Sequence, residues 1–257
     1  MAMKQASLEN KIVWFLYPLP LLCLLTLWYF YTLDSKEHQF IFSSPAQVWQ
    51  TFLRLTYSGE LLRNAAVTVF EASIGFILGT ISGAALGLSL WASRIVARLS
   101  KPYIVAAGAI PIFALAPIII VWFGIGIVSK VALAFIATFV VAIGQAYQGA
   151  VTVEPKYLRL MQVFGATKMQ TFRTVIVPSS LIWVINAMKL NIGLALLGAF
   201  IGEFISAEQG LGKMIVSASG TYDMATVYVG VVALVVISLL LTSLVDLSER
   251  RLLRWKR

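Results

Sequence analysis

At 257 residues, 60% of them hydrophobic and only 12% charged, with a mean hydropathy of +0.88, the chain departs from soluble domains, in which about a quarter of residues carry charge. It reads as a membrane protein. Twenty Lys and Arg against eleven Asp and Glu give a net charge of +9, but the basic residues sit between apolar blocks instead of forming a patch, which argues against nucleic acid as a partner. One cysteine, Cys23, and one histidine, His38, exclude an intrachain disulfide and a His/Cys metal cluster, and no glycine-rich phosphate loop ending in Gly-Lys-Ser or Gly-Lys-Thr is present to hold ATP.

A helix needs about 20 apolar residues to cross roughly 30 Å of hydrocarbon, because its backbone groups find partners only inside the segment. Six runs meet that length, near 12–33, 64–92, 102–127, 131–151, 179–205 and 224–247, so an all-α, polytopic fold with six transmembrane helices is expected. The first run exceeds the apolar stretch of a signal peptide and no small-residue cleavage pattern follows it, which marks a retained anchor. After it, Ser44-Pro45 offers an N-cap with proline at the first helical position, and Val48, Trp49, Phe52 and Leu55 recur at helical spacing. That pattern predicts an amphipathic helix at the outer interface. Residues 1–63 are therefore expected to form the anchor and an external helix, and residues 64–257 the core transmembrane domain.

The second run carries Gly75, Gly79, Gly83 and Gly87 in a strict i+4 row, which lets another helix backbone approach closely. Glu71 continues that row, about 10 Å into the span from its start at residue 64. In the third run Pro111 and Pro117 each free an i−4 carbonyl and kink the helix. Gln145 and Gln148 of the fourth read as packing hydrogen bonds. In the fifth, Lys189, Gly193, Leu196, Phe200 and Glu203 fall on one helical face; counted from Pro178, Lys189 lies roughly 16 Å in, near the midplane, and Glu203 about 21 Å further out. Charge inside a membrane is costly and normally faces protein or water. Glu71, Lys189, Phe200 and Glu203 are thus candidates for a translocation path or gate, and a buried polar network fixing helix packing accounts for the three charges equally well. Fourteen of the basic residues, from Lys4 and Lys11 to Arg254, Lys256 and Arg257, fall on the side of the termini, against Lys36, Arg54, Arg63, Lys130 and Lys213 opposite. Both termini are expected in the cytoplasm.

The segment 153–178 is longer than a turn requires. Glu154-Pro155 opens a helix on which Tyr157, Leu160, Met161 and Phe164 make one apolar stripe. Gly165 stops it, and Thr167 with Gln170 is a capping-box start for a second short helix. A stripe of this composition on a cytosolic helix calls for a partner surface, a protein or the lipid headgroups.

The passage from Gly149 to Gly212 resembles the signature region of permease subunits of ATP-binding-cassette importers, whose cytoplasmic E-A-A-x-x-x-G-x9-I-x-L-P motif forms a coupling helix. Gly165 supplies the glycine, Val175-Ile176-Val177-Pro178 the hydrophobic end, and Gly165-Ala166-Thr167 is similar to the usual Gly-Ala-Ser; the E-A-A positions read Arg159-Leu160-Met161. Ile110-Pro111, Ala116-Pro117, the run Trp122 to Gly126 with Ser129-Lys130, and Gly202-Glu203-Phe204 followed by Gly210-Leu211-Gly212 resemble the nitrate/sulfonate/taurine-type branch. Glu71 and the stretch Gly198 to Phe204 look more like the hydroxymethylpyrimidine and riboflavin permeases of that branch. The resemblance implies the type I importer permease fold and coupling to an ATPase through Tyr157, Leu160, Met161, Phe164, Gly165 and Ala166. It also implies ATP and Mg on a cytoplasmic ATPase dimer with no cofactor in this chain, a second permease copy, an extracellular or periplasmic solute-binding protein, and the bacterial inner membrane. An ion-coupled secondary transporter using Glu71, Lys189 and Glu203 as a proton relay is the alternative. A membrane enzyme fits less well, since no paired acidic motif, histidine cluster or activated nucleophile is evident at a membrane face.

Overall fold

The computed structural model describes residues 16–33 and 35–252, and every regular element among them is helical. In chain order these are α1 (Leu19–Leu33), α2 (Lys36–Phe42), α3 (Pro45–Tyr57), α4 (Glu60–Ser89) with a 3-10 turn at Leu90–Ala92, α5 (Arg94–Ala109), α6 (Ile112–Phe123), α7 (Ile127–Val151), α8 (Pro155–Val163), α9 (Lys168–Thr171), a π turn at Phe172–Ile176, α10 (Val177–Ser206), α11 (Leu211–Gly220) and α12 (Met224–Leu252).

Four of these are long and apolar enough to span a membrane: α4 with its 3-10 turn, α7, the continuous 39-residue run from Lys168 to Ser206, and α12. The third sequence run is not one straight span. It breaks into α5 and α6 at a 92° bend, because Pro111 has no N–H to give the helix and forces Ile110 into extended backbone at φ −74°, ψ 121°. Counted as one, this pair makes a fifth span. Pro117, by contrast, sits inside α6 without ending it. Of the first run, residues 12–15 lie outside the described residues, and α1 covers 15 residues, most of them apolar. The basic residues Lys4, Lys11, Arg254, Lys256 and Arg257 also lie outside them.

The bundle is built around α7, which is held between α4 and α10. Gly75, Gly79, Gly83 and Gly87 all face the α7 backbone: a Cβ at Gly83 would lie 2.5 Å from the Phe139 carbonyl oxygen and 2.8 Å from the Ala142 Cβ. From the other side Gly198 of α10 does the same, with a Cβ there 2.7 Å from the Ala134 Cα. Without side chains between them the helices touch through backbone, where apolar driving force alone would not hold them in lipid. Polar groups cross the same seam. Asn191 of α10, fully buried, donates through Nδ2 to Thr80 Oγ1 of α4 (2.9 Å) and to the Thr138 carbonyl of α7 (3.1 Å).

At one end of the bundle α3 forms as its sequence predicts, with the Ser44 hydroxyl accepting from the Gln47 N–H. Its Val48, Phe52 and Leu55 pack into the main apolar core with Ala72, Leu211, Met214 and Val229, while Trp49 stays exposed. α3 thus packs against the bundle through one face. The opposite end carries α8 and α9.

Candidate functional site

Three places concentrate the residues singled out by the sequence. The first is a buried junction at the α3 end, where α10 ends, the chain turns through residues 207–210, and α11 begins. Glu203, fully buried, accepts through Oε1 from the Thr68 hydroxyl (2.7 Å) and through Oε2 from the Gly212 N–H (2.7 Å). Thr68 Oγ1 itself accepts from the Leu211 N–H (2.9 Å), and Asn64 Oδ1 accepts from the Gly210 N–H (2.8 Å). Side chains of α4 and α10 therefore satisfy the first orphan N–H groups of α11, and the Glu203 carboxylate sits where the helix dipole favours negative charge. Gly210, at φ +113°, allows this approach, because a Cβ would collide with the Glu203 carboxylate. Lys130 of α7, 2% exposed, completes the junction by donating to the carbonyls of Ile125 and Ser206 (2.8 Å for the latter), at the C-terminus of α10.

Glu71 reaches the same junction from α4. Its Oε2 is buried without a donor, and it borders a 380 Å³ cavity with Lys130, Ile125, Glu208 and Gln209. The structure brings Glu71 and Glu203 together. It places Lys189 elsewhere, ion-paired to Asp246 (2.7 Å) and Glu249 (2.7 Å) near the end of α12. The midplane depth expected for Lys189 took Pro178 as the membrane boundary, whereas the helix runs unbroken from Lys168 and so reaches well beyond roughly 30 Å of hydrocarbon.

The second place is the free face of α10. Of the expected stripe, Leu196 and Glu203 are buried against neighbouring helices. Gly193 is exposed as that stripe requires, and the rest of the accessible face runs through Asn186, Leu190, Leu197 and Phe204, the last three each one residue, about 100°, beyond the expected Lys189, Leu196 and Glu203. Phe200 stands at its border, and with Leu197, Phe204, Pro111, Ile112 and Phe113 it lines an apolar groove of 410 Å³ between α10 and α6.

The third is the hairpin. Gly165, at φ +67°, ends α8 in a Schellman arrangement in which the Ala166 N–H donates to Met161 O (2.9 Å) and the Gly165 N–H to Gln162 O (3.0 Å). Thr167 and Gln170 then form both halves of a capping box at α9. No residue of α8 is buried; Tyr157, Leu160 and Phe164 are exposed and Met161 and Ala166 half-buried. The hairpin is joined to α10 without a break through the π turn, where Phe172 meets Trp91 at 5.9 Å between ring centroids.

Sequence reasoning passed over Asn64, Thr68, Thr80, Thr138, Asn191 and the anchoring role of Lys130. A signal for part of this set was present: Asn64 and Thr68 are four apart and extend the small-residue face of α4 toward its N-terminus.

Long apolar helices meeting through glycine, with an exposed, doubly capped hairpin at one end, are the frame of a polytopic, membrane-embedded helical protein. The chain belongs to the family described as the binding-protein-dependent transport system inner membrane component, matched over residues 75–254. It is a transport component and not a catalytic one. It is similar to the riboflavin transport system permease protein RibX of Chloroflexus aurantiacus, 33% identical over 239 residues that cover 93% of this chain and 89% of the relative. It is also similar to the taurine transport system permease protein TauC of Escherichia coli, 25% identical with 90% and 86% covered. Its fold matches a chain of the methionine ABC transporter MetNI in an inward-facing conformation, with a TM-score of 0.67 at 19% identity, covering 75% of this chain and 95% of that one.

Proposed function

We propose that this permease works as a pair of identical chains, each with six membrane spans and cytoplasmic termini, in a bacterial inner membrane. Each chain is driven through its α8–α9 hairpin by a cytoplasmic ATPase that carries the ATP and Mg, the permease holding no cofactor of its own. The observation that carries this reading is the exposed stripe of Tyr157, Leu160 and Phe164 on a helix with no buried residue, stopped at its C-terminus by the Gly165 turn and followed by the capped start of α9, which runs on into α10. A partner that binds this stripe differently in its two nucleotide states would shift the bundle between its two conformations by that difference in affinity.

The groove of Phe200, Leu197 and Phe204 lines the path at the interface with the second copy. Glu71 borders the outer mouth of that path, with Glu203 behind it. Lys189 belongs to the bridge between α10 and α12. The external binding protein delivers its solute at the α3 end, where Arg54, Arg63, Lys213, Glu60, Glu208 and Asp223 line a charged concavity of 880 Å³. Sequence similarity to RibX and a path lined by aromatic rings favour a polar heteroaromatic solute of the pyrimidine or riboflavin kind over a sulfonate, taurine or nitrate. The test is uptake by the complex reconstituted in proteoliposomes with its ATPase and its binding protein. Labelled riboflavin or a pyrimidine should accumulate on ATP addition; accumulation of taurine or nitrate instead would overturn the choice of solute.

A further inference from the structure

Helix α11 lines the 880 Å³ concavity through Lys213, Met214, Ser217 and Ala218, yet it has only 10 residues, too few to hold its shape and place by helix propensity. Its apolar side packs on α12, where Gly230 leaves room for Ile215. Contacts of that kind resist separation but are non-directional. The N-terminus of α11 is held differently. A Cβ at Gly212 would lie 2.8 Å from both the Glu203 Cβ and the Phe200 carbonyl oxygen, so the α11 backbone rests directly on the last two turns of α10.

Three buried side chains fasten it there. Glu203 accepts from the Gly212 N–H (2.7 Å), Thr68 Oγ1 from the Leu211 N–H (2.9 Å) and Asn64 Oδ1 from the Gly210 N–H (2.8 Å). Thr68 is the hub. Its single proton goes to Glu203 Oε1 at 2.7 Å, nearer than the Asn64 carbonyl at 3.2 Å, so one hydroxyl ties α4, α10 and α11 together. Asn64, Thr68 and Glu203 are 9%, 0% and 0% exposed, and water therefore cannot replace a partner that moves away. At its other end α10 continues without a break to Lys168 in the hairpin, a run of roughly 58 Å at 1.5 Å per residue. One helix thus has the wall of the outer concavity fastened to one end and the hairpin joined to the other.

We propose that Thr68 and Asn64 are positioning residues that, with Glu203, clamp α11 to α10, so that a binding protein seated in the concavity moves α10 and the hairpin as one body. The proposal rests on the two docking places assigned above and adds what connects them. Without the clamp α11 stays with α12 through its apolar side, and docking no longer reaches the hairpin. Such coupling is reciprocal: if docking favours the ATP-bound state of the ATPase, that state must bind the binding protein more tightly by the same factor.

The test uses the purified permease–ATPase complex in proteoliposomes and its binding protein purified with its native solute. ATP hydrolysis is measured with and without the binding protein, and the affinity for the binding protein with and without a non-hydrolysable ATP analogue. Thr68→Val keeps the shape of the side chain and removes the hydroxyl; in assembled complex both the stimulation of hydrolysis and the nucleotide dependence of the affinity should be lost. Thr68→Ser, which keeps the hydroxyl, should restore both, whereas a merely structural role would change the yield of complex and leave these ratios alone. Asn64→Ala frees only the Gly210 N–H and carries the same test if Thr68→Val does not assemble: both ratios should fall part of the way, and Asn64→Asp, which keeps the acceptor oxygen, should restore them. Wild-type ratios in Thr68→Val or in Asn64→Ala, or equal loss in Thr68→Val and Thr68→Ser, would overturn the clamp while leaving the docking places standing. A wild-type complex that its binding protein does not stimulate would contradict the docking places themselves, and the clamp with them.

Discussion

A lysine in the hydrophobic part of a helix invites a functional reading, yet Lys189 has two carboxylates at 2.7 Å from a neighbouring helix. The three side chains keep between 29% and 44% of their surface uncovered by the chain, so the bridge ties α10 to α12 at the surface of the bundle. If bridging is the whole of its role, Lys189→Met should impair transport only through the two acids it strands. Combining it with Asp246→Asn and Glu249→Gln should then restore uptake to near the wild-type level. A transport defect that persists in the triple variant, with normal assembly, would put the ammonium back on the solute path. Glu203 is the converse case. Its place near the end of a long apolar helix was legible in the sequence, but its partners were not, because Thr68 lies 135 positions away and the Gly212 donor belongs to a helix too short to stand out.

At the scale of elements, the seam between α4 and α7 depends on what the glycines lack. Gly83→Leu would drive a side chain into the Phe139 carbonyl and Ala142, and overpacking of this kind costs about 1–3 kcal/mol even where neighbours can adjust; a carbonyl backbone cannot. Gly83→Leu should therefore abolish recovery of intact complex from detergent, while Ala85→Leu, two residues along and exposed, should leave it unchanged, as judged by size-exclusion profile and thermal unfolding. Equal tolerance of both would show that the row does not set the helix spacing. The row could be read in advance because four glycines at strict i+4 spacing strip one whole helix face of side chains, which only a close neighbour can use. The matching Gly198 and Gly202 on α10 could not, since two glycines four apart do not strip a whole helix face. Apolar length also failed to separate a straight span from the bent pair α5 and α6, because hydropathy records how much of the chain is apolar and not its direction. Pro178 misled in a similar way. A proline usually opens a helix, but here the π turn at Phe172–Ile176 precedes it and gives the widened turn in which a proline ring can sit without ending the helix.

For the whole molecule, the hairpin is the feature that separates an ATP-driven permease from an ion-coupled transporter built on the same charged residues. Its caps, stripe and stop were all visible in the sequence, since each depends on residues within a few positions of one another. The face that α10 presents was not, since it depends on which side α7 and α4 occupy. Phe164, 75% exposed, is free to enter a partner pocket. An aspartate there would have to be desolvated at the contact, at a cost of several kcal/mol. The decisive measurement is solute uptake into proteoliposomes containing the permease, with and without its ATPase, its binding protein and internal ATP, run in parallel on Phe164→Asp. Uptake is expected only when all three are present, together with loss of both uptake and ATPase co-purification in Phe164→Asp despite normal membrane insertion. Uptake by the permease alone, driven by an imposed proton or sodium gradient and indifferent to Phe164→Asp, would contradict ATP-driven coupling through the hairpin.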